Sequence, residues 1–433
     1  MEQHHAARSA IAKAARRLLP FLILCYAVNF LDRVNVGFAA LAMNEDLGFS
    51  PSVFGTGAGI FFVGYLLFEI PSNLALQRFG ARVWIARIMV SWGIIATAMA
   101  LVGGETSFYV MRFLLGVAEA GFFPGIILYL TYWFPARERA RIVSLFMAAV
   151  PLATLVGGPI SGALLELHGV GGLKGWHWLF VVEGLPAIAL GIAAYFFLDD
   201  KPEQARWLSG EERAALSHVL AEEEEATRAT GYHALGDALT RPRMLVLALI
   251  YFCIVVGLYG IGFWMPQVIQ TFGLSPLRIG FLTVIPYFFA SVFMVLSGAH
   301  SDATGERILH IALPLLLGAV AFAWSAMTLP LGLTMISLTL AAIGIYAAIG
   351  TFWSVPTAIL TGTGAAAGLA LVNALGNLGG LAGPAIIGVL KQANGDFTLA
   401  LLFLAGALAL GACITLLFGR VAWTDRTAPR IAR

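Results

Sequence analysis

Twelve stretches of this 433-residue chain stay apolar for about 20 residues or more, each long enough to cross a bilayer core as a helix. They run approximately over 19–42, 54–76, 83–102, 108–134, 142–166, 177–198, 244–270, 278–299, 308–329, 333–360, 366–390 and 398–419. No single soluble core can hide that much apolar surface. With 59% hydrophobic and 12% charged residues, lipid must be the solvent. A lipid-embedded backbone has to satisfy its own hydrogen bonds, so apolar runs of this length become helices. The expected fold class is an all-α membrane protein with twelve transmembrane helices.

Charge fixes the expected orientation. Lys and Arg gather in alternate loops: Arg8 to Arg17, Arg78 to Arg87, Arg137 to Arg141, Lys201 to Arg243, Arg307, and Arg420 to Arg433. The opposite loops hold only Lys174, Arg278 and Lys391. The positive-inside rule therefore puts both termini in the cytoplasm. The one long polar stretch, Asp199 to Arg243, contains an acidic, Ala-rich run from Ser209 to Arg228 that should form a surface helix. Residues 1–200 are read as an N-terminal six-helix bundle, 201–243 as a cytoplasmic linker, and 244–433 as a C-terminal six-helix bundle with a short tail. A net charge of +2 gives no reason to expect nucleic acid, and Cys25, Cys253 and Cys413 are too scattered for a disulfide framework or a metal knuckle.

The chain also repeats itself at an offset of 225 residues. Gly48, Ser50, Pro51 and Gly55 fall on Gly273, Ser275, Pro276 and Gly280; Gly80 and Arg82 fall on Gly305 and Arg307; Gly158 and Pro159 fall on Gly383 and Pro384. Six helices followed by six in the same order form a parallel repeat, which puts a substrate cavity at the interface of two bundles near the midplane. The Gly-rich runs Gly157 to Gly162 and Gly376 to Gly383 lack the G-K-[ST] ending of a phosphate loop and lie inside spans, so close helix packing is expected there.

Ionisable residues within spans are costly and point to function. Asn29 and Arg33 are four apart and Tyr26 is seven from Arg33, so one face of the first span carries a phenol, an amide and a guanidinium able to hold an anion. Arg112 and Glu119 share a face of the fourth span but are too far apart to neutralise each other without a partner from the first. Under the 225 offset Asp32, Arg33, Arg112 and Glu119 fall on Gly257, Leu258, Ser337 and Gly344, so this ion chemistry belongs to the first half alone. A guanidinium fits a carboxylate and stays charged, whereas Asp and Glu can titrate. Arg33 and Arg112 are then expected to bind an anion while Asp32 and Glu119 take up protons and, when ionised, compensate the arginines. The alternative is a structural ion-pair network between the first and fourth spans. Glu183 and Glu69 are read as structural.

The loop Gly298-Ala-His-Ser-Asp302-Ala-Thr-Gly305-Glu-Arg307 resembles the G-x-x-x-D-x-x-G-x-R loop of the major facilitator superfamily. The first-half copy keeps Gly80 and Arg82 but has Gln77 in place of the acid. Asp302, Arg307 and Arg82 are the expected conformational latch. Leu31 to Asn35, Tyr65 to Asn73, Arg112 to Gly125 and Leu179 to Pro186 narrow the resemblance to the anion:cation symporter branch. That resemblance implies proton-coupled import of a small carboxylate across a bacterial inner membrane, with no cofactor beyond the proton; a monomer is expected. It further implies Arg33 as the main carboxylate ligand, Tyr65 as its hydrogen-bonding neighbour, Asp32 and Glu119 as protonation sites, and Ser354 and Asn377, with Tyr259, as second-half contacts. An organic-anion exchanger or facilitative carrier is the alternative.

Overall fold

The structure is a computed structural model that describes residues 2–147, 149–229, 242–327, 329–359 and 363–423. Among these residues, eleven helices are long and apolar enough to cross a membrane, and a shorter apolar helix, Ala153–Leu165, stands where the fifth span was expected.

The first span is built from two segments, α1 (Glu2–Val34) and α2 (Val36–Leu47). Helix α3 (Pro51–Phe79) starts on an N-cap, with the Val53 N–H donating to Ser50 Oγ at 3.2 Å and Pro51 preset for the first turn. It ends at Gly80, whose φ of 89° no L side chain adopts readily. Next come α4 (Ala81–Ala98), α5 (Glu105–Glu119) and α6 (Phe122–Thr131), the last two separated at Ala120 and Gly121. Helices α7 (Ala136–Met147), α8 (Ala149–Leu165), α9 (Gly175–Phe197) and the surface helix α10 (Gly210–Ala229) follow. The second half comprises α11 (Pro242–Gln270), α12 (Pro276–Thr304), α13 (Ile308–Ser325), α14 (Leu331–Phe352), α15 (Ser354–Ile359), α16 (Thr363–Asn394) and α17 (Thr398–Trp423).

The repeat is visible in the backbone. Helices α3 and α12 are each 29 residues long, and their first residues lie one repeat offset apart. The paired glycines Gly48 and Gly273 have φ of 67° and 70°, and Gly80 and Gly305 have 89° and 69°.

The chain divides into two compact units. Unit 1 takes in the residues up to Ala229 together with Gly273–Val284, and unit 2 takes in the rest. Inside unit 1, α3 and α5 pack backbone to backbone: a Cβ on Gly116 would overlap the Phe61 carbonyl oxygen and lie 3.0 Å from Tyr65 N. Inside unit 2, α16 lies as close to α11, where a Cβ on Gly379 would stand 2.5 Å from the Phe252 carbonyl oxygen. Such close approach needs small residues, the usual device of helix association in lipid.

The segment before the first span does more than the sequence reading allowed. It continues α1 without a break, and Ala7, Ala10, Ala14 and Leu18, spaced along one helical face, are all buried. Ser9 Oγ donates to Glu212 Oε1 at 2.7 Å and Lys13 Nζ to Glu212 Oε2 at 2.9 Å. Glu212 also forms a capping box at the start of α10: the Ser209 N–H donates to Glu212 Oε2 at 2.9 Å and the Glu212 N–H to Ser209 Oγ at 3.1 Å. Lys13, the Ser209 amide and Ser9 together pull the Glu212 carboxyl down to about 2 from an ordinary 4.5. Arg17 lies over the rings of Phe197 and Trp207, at 4.4 and 5.3 Å, which ties α1 to the end of α9 and the approach to α10.

Candidate functional site

The site in unit 1 is assembled from α1, α3, α4, α5 and α9. Arg33, in the last turn of α1, donates through Nη2 to Glu119 Oε1 at the end of α5, a buried ion pair. The guanidinium lies 5.2 Å from the Tyr65 ring centroid and 5.3 Å from that of Phe61, both on α3. Arg112, almost wholly buried, lies 5.0 Å from the same Phe61 ring. Its Nε donates to the Gly57 carbonyl oxygen at 3.3 Å and its Nη2 to the Ala58 carbonyl oxygen at 3.2 Å. Two guanidiniums, one carboxylate and a shared aromatic ring make an electropositive spot that an anion would favour. The partner that Arg112 and Glu119 needed from the first span is Arg33, and it sits on the carboxylate.

Asp32 departs from expectation. It does not pair with either arginine; Trp92 Nε1 of α4 donates to its Oδ2 at 2.9 Å. Adjacent residues on a helix diverge by about 100°, so Asp32 and Arg33 cannot face the same neighbours. Compensation of both arginines by both carboxylates is therefore corrected: Glu119 meets Arg33, while Asp32 turns towards Trp92 of α4. Glu183, buried, accepts from Ser161 Oγ at 2.7 Å. Among the described residues, Asp32 Oδ1 and Glu183 Oε2 have no hydrogen-bond partner. Glu69 is buried, and its carbonyl oxygen accepts from Asn73 Nδ2 at 3.0 Å.

Asn29 is one turn before Arg33 and 0% exposed, yet neither of its amide atoms has a hydrogen-bond partner among the described residues. A buried amide without partners carries a desolvation cost and calls for an explanation. Tyr26, one turn earlier, stacks on Phe146 at 4.7 Å and meets Phe123 tilted at 5.5 Å.

In unit 2, Tyr259 is buried on α11 and stacks on Phe263 at 5.6 Å. Ser354 opens α15, its Oγ donating to the Thr351 carbonyl oxygen at 2.7 Å. Asn377 lies half-buried on α16, next to Gly376, which rests against the Tyr251 ring. Tyr251 itself stacks on Phe352 at 5.3 Å and meets Trp353 edge-on at 4.9 Å. The repeat offset carries Tyr26 onto Tyr251, so an aromatic cluster occupies the same helix position in both halves.

Of the latch residues, Arg307 Nη1 pairs with Asp302 Oδ1 at 2.6 Å across the Gly305 turn and donates to Ser301 Oγ at 2.9 Å, while Ser301 Oγ donates to the Glu306 carbonyl oxygen at 2.6 Å. The first half, lacking an acid at Gln77, takes one from elsewhere. The Arg82 N–H donates to Asp200 Oδ1 at 2.8 Å, and the Asp200 carboxylate packs against Gly80. Sequence reading missed Asp200 because it lies 118 residues away; the retained Gly80 and Arg82 were the signal that some acid should be there.

The chain matches the profile of the Major Facilitator Superfamily over residues 22–384. It is 53% identical to a putative tartrate transporter of Agrobacterium vitis over 410 residues, 95% of this chain and 91% of that protein. It is 43% identical to the putative metabolite transport protein NicT of Pseudomonas putida, over 94% of this chain and 93% of that one. Among solved structures, a bacterial homologue of the human lysosomal transporter Spinster, in an inward-facing and occupied conformation, superposes with a TM-score of 0.77 at 18% identity, over 95% of this chain and 98% of that one.

Proposed function

The chain belongs to the major facilitator superfamily, a multi-pass membrane transporter and not an enzyme, and from that premise we propose that it is a proton-coupled symporter importing a small organic carboxylate by alternating access across a bacterial inner membrane. The observation that carries the reading is the buried Arg33–Glu119 pair with the unsatisfied Asn29 amide one turn away. The curated relatives named for tartrate and metabolite transport support the substrate class.

The coupling follows from partner exchange on one guanidinium. With Glu119 ionised, Arg33 is taken. A proton on Glu119 removes the negative charge, frees the planar fork and leaves two guanidiniums facing an incoming carboxylate, which Arg33 can hold in bidentate fashion. Arg112, 5.0 Å from the same Phe61 ring, adds charge, Asn29 supplies amide hydrogen bonds, and the Tyr65 ring lies against the Arg33 guanidinium. Asp32, held by Trp92 away from the arginines, is a second protonation site. Tyr259, Ser354 and Asn377 are further substrate contacts, and Asp302, Arg307 and Arg82 form the latch. No cofactor besides the coupling proton is required. Exchange without proton coupling is the second reading, in which Glu119 only balances charge.

The test is a thermal-shift screen of purified protein against aliphatic, sugar and aromatic carboxylates, with Arg33→Ala alongside, since a ligand of the folded state raises its melting temperature. A stabilising acid whose effect vanishes in Arg33→Ala supports the site; one that stabilises both proteins equally refutes it. For the hit, uptake into proteoliposomes driven by an imposed pH gradient separates symport from exchange.

A further inference from the structure

Apart from this site, unit 1 carries a groove of about 350 Å³ between α4 and α9, open to the side. Val83, Ala86 and Val90 line it from α4, and Gly191, Ile192 and Phe196 from α9, with Arg87 and Tyr195 completing it. Its floor is tight, since a Cβ on Gly191 would stand 2.8 Å from both Met89 Cβ and Val90 N. Ile192 and Phe196 are exposed, as befits a surface facing acyl chains.

Arg87 is out of place in such a groove. It lies six residues into α4, about 9 Å along the helix axis from Ala81, where a charge facing lipid is costly unless it reaches the interface or meets an anion. Its guanidinium folds back over the Trp84 ring at 4.0 Å, towards the start of the helix, and its Nε is buried without a hydrogen-bond partner among the described residues. Arg82 joins it from one turn nearer the interface, its guanidinium 5.0 Å from the Tyr195 ring and its Nε likewise without a partner. The nearby acids are engaged elsewhere: Asp200 accepts from the Arg82 backbone N–H, and Asp199 Oδ2 accepts from Trp207 Nε1 at 2.8 Å. No carboxylate among the described residues forms an ion pair with either guanidinium. This is also the end of α4 that the charge distribution puts in the cytoplasm.

We propose that the groove between α4 and α9 is a binding site for an anionic phospholipid, its phosphate on Arg87 and Arg82 and an acyl chain lying along Val83, Val90 and Ile192. Basic pockets between transmembrane helices on the cytoplasmic side are suited to such headgroups. A guanidinium seated over an aromatic ring can still donate its N–H groups to a phosphate. The groove supplies the apolar contact that a soluble phosphate could not use.

The experiment is native mass spectrometry of the full chain in detergent, titrated with phosphatidylglycerol, phosphatidylcholine or inorganic phosphate. Wild type should take up phosphatidylglycerol at least about tenfold more tightly than phosphatidylcholine. Arg87→Gln should bring the two lipids level, whereas Arg278→Gln, exposed on another helix, should change nothing. Ile192→Trp, which fills the groove and keeps Arg87, should also lose the adduct. The assignment is overturned if Arg87→Gln keeps the preference, if Ile192→Trp binds as wild type does, or if inorganic phosphate displaces the lipid at equal concentration.

Discussion

Replacing Gly116 by Ala tests whether the contact between α3 and α5 sets the geometry of the arginine cluster. The added methyl would overlap the Phe61 carbonyl oxygen and lie 2.9 Å from the carbonyl carbon and 3.0 Å from Tyr65 N. Comfortable separation is about 3.5 Å, so the Phe61 carbonyl, and α3 with it, must retreat by more than about an ångström. All three atoms are backbone, so no rotamer change relieves the clash. The bonds from Arg112 to the Gly57 and Ala58 carbonyls, at 3.3 and 3.2 Å, already lie near the limit of hydrogen bonding and come from the helix that moves. Overpacking costs about 1–3 kcal/mol and each lost bond to a charged group about 1.5–3, so even the low ends total about 4 kcal/mol. Phe61 and Tyr65 would move off the two guanidiniums as well, so KM for the transported acid should rise together with the fall in stability. The assay is thermal unfolding in detergent paired with initial uptake rates. Gly406→Ala is the control: on α17 its Cβ would meet nothing within 4 Å, and it should be neutral or stabilising by up to about 1 kcal/mol. A Gly116→Ala protein that melts and transports like wild type would refute the reasoning.

Other outcomes follow from the same geometry. Asn29→Leu removes a buried amide that has no partner among the described residues, so stability should hold or rise while KM increases about tenfold or more; unchanged KM would remove Asn29 from the substrate site. Glu119→Gln should abolish accumulation against a gradient while leaving counterflow measurable, and accumulation that persists would eliminate Glu119 as the coupling group. Glu212 has a depressed carboxyl, so its contribution is complete above its unfolded value of about 4.5 and disappears as pH falls towards 2. The melting-temperature difference between wild type and Glu212→Gln should accordingly be constant from pH 7 to about 5 and shrink below that. Asp302→Asn breaks the ion pair across Gly305 and should slow turnover more than it changes KM.

Length and spacing carried most of the fold. The apolar runs located the helices, and the 225 offset anticipated matching turns at Gly48 and Gly273 and at Gly80 and Gly305, because a glycine with positive φ is a backbone requirement that leaves its mark in sequence. Close packing along Gly376 to Gly383 was legible because small residues recur there inside a span, and a Cβ on Gly379 would meet the Phe252 carbonyl oxygen. Contacts between distant side chains were not. Trp92 as the partner of Asp32, Asp200 as the acid of the first-half turn, and Glu212 as the anchor for Ser9 and Lys13 all depend on which helices become neighbours, and no local pattern in one sequence states that. The divergence of Asp32 from Arg33 could have been found by helix arithmetic alone, since consecutive side chains point about 100° apart.

Anchoring Ser9 and Lys13 to Glu212 also orders events during synthesis. The basic segment precedes the carboxylate it needs by about 200 residues, so that partner is made only after the six spans between them. Until then α1 has no α10 to pack against, and Ser9 and Lys13 lack their partner. The amino-terminal helix is therefore held by side chains that lie on the far side of six spans in the sequence.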